Sequence, residues 1–170
     1  MRRSGALVVA VGFLAACAAP APGSPDTIVQ GALRSSVEVL VAPAGYRSGL
    51  LSPALAAQWT ARAEADLRQW YRGQALDEHL AGLHNIVSAA ETQPGPIATS
   101  VDIEHVNGGS VNPDGDTGRV DEATIWYRTH YAPGTWNIPD IEGVTMCHFE
   151  LRRVDGAWRV ETQGCNVSGG

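Results

Sequence analysis

The stretch Val144–Thr162, VTMCHFELRRVDGAWRVET, decides the fold. Asp155-Gly156 is a two-residue hairpin signal, because both residues tolerate the positive φ that such a turn demands. With that turn fixed, Leu151 faces Val160, Phe149 faces Thr162 and Arg153 faces Trp158, so the apolar side chains share one face. On the other face Arg152 meets Arg159 and Glu150 meets Glu161. These like-charge pairs are relieved by the diagonals Glu150–Arg159 and Glu161–Arg152. Strict register sets Cys147 opposite Gly164. A bulge around Gln163-Gly164 brings Cys147 to Cys165 instead, and glycine suits a bulge.

Upstream of this hairpin the period is also two. Ile97, Thr99, Val101, Ile103 and His105 share a face, against Ser100, Asp102 and Glu104. After a turn-rich loop from Asn107 to Gly118, Ala123, Ile125, Tyr127, Thr129 and Tyr131 alternate with Glu122, Thr124, Trp126, Arg128 and His130. Pairing Val101 with Ile125 and Ile103 with Ala123 gives a half-buried antiparallel ladder. A second loop, Ala132 to Gly143, carries Trp136.

Before the strands the period is helical. Ser24-Pro25 and Ser52-Pro53 each supply an N-cap with proline at the first helical position. Val29, Leu33, Val37 and Leu40 follow the first, up to Pro43. Leu55, Trp59, Ala63, Leu67 and Trp70 follow the second, up to Gly73. Leu76, Leu80, Leu83 and Val87 make a third stripe ending before Pro94-Gly95-Pro96. Helices followed by long antiparallel strands predict an α+β domain, with N-terminal helices packed on a curved antiparallel sheet.

At the other end of the chain, Arg2 and Arg3 precede an uncharged apolar run that closes on Leu14-Ala15-Ala16-Cys17. The run is too short to span a bilayer, which takes about 20 residues, and has the layout of a secretory signal. It resembles a bacterial lipoprotein signal with its lipobox. That resemblance implies cleavage after residue 16, acylation of Cys17, and attachment on the extracytoplasmic face of a bacterial membrane through acyl chains. Residues 17–24, rich in alanine and proline, read as a tether, and residues 25–170 as one domain.

The three cysteines then divide. With Cys17 taken by lipid, Cys147 and Cys165 lie in an oxidising compartment, where a disulfide persists. The alternatives are two free thiols or a metal site, the latter short of ligands with only His148 nearby. The formal charge of −6 becomes −8 once Arg2 and Arg3 are removed, which argues against nucleic acid and against electrostatic adhesion to anionic lipid. All 12 cationic side chains are arginine, which we read as the imprint of high-GC coding.

The element order and the ending LRRVDGAWRV, Leu151–Val160, resemble the nuclear transport factor 2-like superfamily, which includes polyketide cyclases and ketosteroid isomerases. The resemblance covers roughly Pro25 to Cys165 and implies a cone in which a curved sheet wraps three helices around a pocket. Isomerase-type members use a pocket aspartate with a tyrosine as oxyanion donor. Here Asp102 falls on the polar face and Asp121 beside the loop, so neither matches that pattern. The superfamily also holds binding proteins and secretion-system parts, so the fold leaves the function open.

His105, Tyr127 and Tyr131 are the pocket candidates, since alternation puts an imidazole beside two phenols, a pairing suited to general base or hydrogen-bond chemistry. The competing reading of His105 is a strand-end histidine reaching solvent. Trp126 with Arg128 on the opposite face is a candidate interface anchor, or a side chain covered by the loop carrying Trp136. Asn112-Pro113-Asp114-Gly115-Asp116 hints at a calcium loop, but glycine and glutamate are missing from the sixth and twelfth places, which favours a solvated hairpin loop. His79 and His84 read as solvent-edge residues of the third helix, and Arg152 and Arg159 as a solvated charge ladder. Asn166-Val167-Ser168 matches a glycosylation pattern for which a bacterial lipoprotein has no use. No cofactor or metal site is expected.

The expected function is a membrane-anchored accessory or binding module for a protein partner or a small apolar ligand. The alternatives are an enzyme of the isomerase, cyclase or dehydratase kind, and a structural subunit of an envelope or secretion assembly.

Overall fold

The computed structural model describes residues 23–132 and 138–169. The lipobox, Cys17 and the loop tryptophan Trp136 lie outside them. Three helices, α1 (Pro25–Glu38), α2 (Pro53–Trp70) and α3 (Gly73–Thr92), precede five strands: β1 (Ala98–Asn107), β2 (Asn112–Asp114), β3 (Thr117–Tyr131), β4 (Ile141–Val154) and β5 (Ala157–Gly169). The helices pack on a curved antiparallel sheet of order β1-β3-β4-β5, with the short β2 paired to the start of β3. Among the described residues no helix is long and apolar enough to cross a membrane.

Local chemistry starts two of the helices as expected. The Ser24 hydroxyl accepts from the Thr27 amide and the Ser52 hydroxyl from the Leu55 amide, each with proline in the first turn. α1 ends at Glu38, short of Pro43, and Leu40 lies beyond it, 40% exposed. α1 and α2 approach closely because Gly31 has no side chain. A Cβ there would sit 2.3 Å from the Trp70 ring. Between them the buried Ser35 hydroxyl donates to Asp66 Oδ2. The buried Trp59 indole donates to the Val39 carbonyl at 2.7 Å, and the buried Tyr71 hydroxyl to Ala32 at 2.7 Å. Both rings thus enter the core with their polar atoms satisfied.

The terminal hairpin forms with Leu151 on Val160, Arg152 on Arg159 and Arg153 on Trp158. Its bulge is displaced from the expected place. It falls at Glu161, opposite the Glu150/Leu151 step, so Glu150 faces Thr162 and Phe149 faces Gln163. Moving the extra residue to Glu161 separates the two glutamates. Arg152 then pairs with Glu161 at 2.8 Å, while Glu150 accepts from the Thr162 hydroxyl. Beyond the bulge Cys147 faces Cys165, and the sulfurs are bonded at 2.09 Å.

The β1–β3 register differs from the expected one by four residues. Val101 pairs with Thr129 and Ile103 with Tyr127. Parity is preserved, so both apolar faces still point to the helices. The slide follows from β2, which the sequence reading missed inside the Asn107–Gly118 loop and which occupies the start of β3. Further bulges interrupt β1 near His105 and β3 between Val120 and Ala123, and such irregularities bend strands. Among the described residues the core joins the helices to the concave face of the sheet, from Ile28 to Val160, and none of their buried side-chain polar atoms lacks a partner.

Candidate functional site

Along the concave face of the sheet, packing changes with position. Near the Asp155-Gly156 turn, Val120, Phe149, Leu151 and Val160 are sealed against α1 and the α2–α3 junction. That junction is pinned to the sheet edge, where the Arg72 amide donates to Val160 at 2.8 Å. Toward the other end the helices diverge from the sheet and two cavities open, of about 290 and 250 Å³. They share Val37, Leu40, Ile86 and Tyr127 as walls and so form one cleft.

Tyr127 reaches into this cleft because its neighbour on β4 is Gly143. A Cβ at Gly143 would lie 2.6 Å from the phenol ring, so only glycine lets the ring lie across β4. The hydroxyl then comes within 3.4 Å of Thr145 Oγ1. Tyr131, two residues on, lines the first cavity, and burial with the neighbouring Tyr127 raises its phenol above the ordinary value. On the facing helix Gly82 leaves open space, with nothing within 4 Å of a Cβ added there. A glycine inside a helix costs about 1 kcal/mol relative to alanine; here its missing side chain is cleft volume.

The polar end of the cleft is His79 with Gln163. The imidazole Nε2 lies 3.1 Å from the Gln163 amide oxygen and 2.9 Å from its nitrogen. Its ring stacks at a tilt on Tyr71, centroids 4.3 Å apart. Burial pushes the His79 pKa below the ordinary histidine value, against the opposing pull of Gln163 and Glu78, so the ring is neutral at neutral pH. The sequence reading put His79 at the solvent edge. That is corrected here, because α3 presents His79, Gly82, Leu83 and Ile86 to the cleft at the i, i+3, i+4, i+7 spacing of one helix face. The apolar stripe Leu76, Leu80, Leu83 and Val87 overlaps this face only at Leu83.

His105 is not in the cleft. The bulge between Ile103 and His105 inverts the alternation, so His105 pairs with Trp126 and packs on its indole at 5.1 Å, on the outer face. Of the three pocket candidates, Tyr127 and Tyr131 are brought together, and His79 stands where His105 was expected. Trp126 is half-buried on the outer face. Its neighbour Arg128 is engaged by Glu104 and Glu142, one carboxylate from each flanking strand. His130 repeats the pattern between Asp102, at 3.0 Å, and Asp140, at 2.8 Å, and both aspartates raise its pKa.

The remaining candidates are surface features. The bulge after Val120 turns Asp121 outward, where it pairs with Arg119. His84 pairs with Glu64 at 3.0 Å, and Arg152 and Arg72 share Glu161. The Asn112–Asp116 segment is the β2 hairpin, closed by Thr117 on the Asp114 carbonyl. Among the described residues no three His, Cys, Asp or Glu side chains are grouped to hold a metal ion.

No protein-family model matches the chain, and no curated protein matches it in sequence. The geometry of the cleft therefore carries the functional reading.

Proposed function

We propose that this chain is a lipoprotein anchored through Cys17 on the extracytoplasmic face of a bacterial membrane, whose cone-like domain of the nuclear transport factor 2-like kind holds a small apolar ligand. The reading rests on one observation above the rest. The cleft at the open end is walled by Val37, Leu40, Trp59, Ile86 and Tyr127, with a few polar side chains set among them, His79, Thr145 and Gln163 in one cavity and Thr129 and Tyr131 in the other. Apolar walls with a few placed polar groups are the common form of a small-molecule site. The acyl anchor places such a site beside the membrane, where apolar ligands concentrate.

The test is titration of the uncharged fluorescent probe N-phenylnaphthylamine into the full chain. Saturable enhancement that Ile86→Trp abolishes supports the reading; no enhancement, or enhancement indifferent to Ile86→Trp, contradicts it. A second reading, an isomerase- or dehydratase-type enzyme, draws on the neutral His79 imidazole in the same cleft. It requires turnover that His79→Gln removes while the probe still binds.

A further inference from the structure

The cleft does not stop at the cone. A third cavity, of about 470 Å³, lies against the C-terminal half of α3 and the Pro94-Gly95-Pro96 turn. It shares Ile86, Pro96 and Ile97 with the first cleft cavity. Ile86 borders all three, and its side chain is 40% exposed at their junction. The result is one trough along α3 from His79 to Gln93, a run of about 21 Å at helical rise.

The two ends of the trough differ in chemistry. The far end is lined mainly by Ile86, Ala89, Ala90, Pro96 and Ile97, with the exposed Gln93 amide as its one polar side chain among the described residues. The near end has the His79–Gln163 pair and the Tyr127 and Thr145 hydroxyls. The charge on the walls of that end is the carboxylate of Glu78, and its imidazole is neutral. An anionic head group would be desolvated there beside a like charge, with no cation among the described wall residues to offset it. A hydroxyl or ester head group finds donors and acceptors without that cost. The length of the trough also selects a flexible chain over a compact polycycle.

We propose that the trough holds a single-chain amphiphile with an uncharged head group, the head at His79 and Gln163 and the alkyl chain running past Ile86 to the Pro94–Pro96 turn. This rests on the cleft being a ligand site, and the experiment separates the two. N-phenylnaphthylamine is bound first, then displaced by monodecanoylglycerol, by decanoate at mildly alkaline pH, or by a rigid uncharged sterol.

The expected result is displacement by monodecanoylglycerol at least about tenfold more effective than by decanoate, the scale of one uncompensated polar interaction, and weaker displacement by the sterol. Gln163→Leu should narrow the gap between glyceride and carboxylate. Gly82→Leu, which fills the polar end with a better helix former, should weaken monodecanoylglycerol without unfolding the chain, and Met146→Ala on the outer face should change nothing. Equal or better displacement by decanoate overturns the uncharged head group, and preference for the sterol overturns the extended chain. Failure of the probe itself to bind overturns the ligand site and this proposal with it.

Discussion

The concave face of one sheet does two different things at its two ends. Near the Asp155-Gly156 turn, β3, β4 and β5 contribute Val120, Phe149, Leu151 and Val160, each at most 2% exposed. Toward their other ends the same strands contribute Tyr127, Tyr131, Gln163 and Val167, which border open space, Val167 at 70% exposure. The disulfide Cys147–Cys165 sits where one regime gives way to the other, tying β5 to β4 as β5 leaves the helices. The closed end supplies stability, so the open end can leave apolar surface unfilled.

The comparison can be broken most forcefully at the closed end. Phe149→Ala should cost about 3–5 kcal/mol in denaturant unfolding, because a sealed core collapses only in part around the cavity. Next, replacing Cys147 and Cys165 together by alanine should cost about 2–4 kcal/mol by the same measurement. Unlike Phe149→Ala, it should also weaken probe binding, because the bridge holds the cleft wall that carries Gln163. Tyr127→Phe at the open end should change stability by less than about 1 kcal/mol, since its long hydroxyl contact is partly solvated. Its effect should appear in monodecanoylglycerol affinity.

The smallest effects concern pH and contrast the two sheet faces. His79, inside, has a folded pKa below the ordinary 6.5 because burial disfavours its charge. Its contribution to stability is complete above that value and is lost as pH falls through the folded pKa. His130, outside, is raised by Asp102 and Asp140. Its contribution is complete below 6.5 and is lost as pH rises through the folded pKa. Imidazole proton NMR titration, assigned with His79→Gln and His130→Gln, should place the two midpoints on opposite sides of 6.5; a shared midpoint would remove the distinction.

How much of this was legible beforehand follows the same division. The caps at Ser24 and Ser52, the Leu151–Val160 pairing and the cysteine bridge depend on turn chemistry and near neighbours, which sequence carries directly. The cleft depends on bulges. One bulge before His105 sends that ring to the outer face, another after Val120 turns Asp121 outward, and a third at Glu161 brings Gln163 inward. The first two invert an alternation that a period-two reading extends unbroken, and the third falls two residues before the bulge expected at Gln163-Gly164; nothing local marks the residue where each happens. His79 was legible in principle, through its helical spacing to Gly82 and Ile86. A mid-helix glycine beside a histidine is the signal that was passed over.

The central claim is that the open end of the concave face is where the molecule meets its ligand. Amide chemical-shift mapping of the full chain, titrated with monodecanoylglycerol, tests it most directly. The account predicts perturbations at Gly82, Ile86, Tyr127, Thr145 and Gln163, with Phe149, Leu151 and Val160 unmoved. Perturbations centred on Trp126 and His105 of the outer face, or none at saturating ligand, would contradict it.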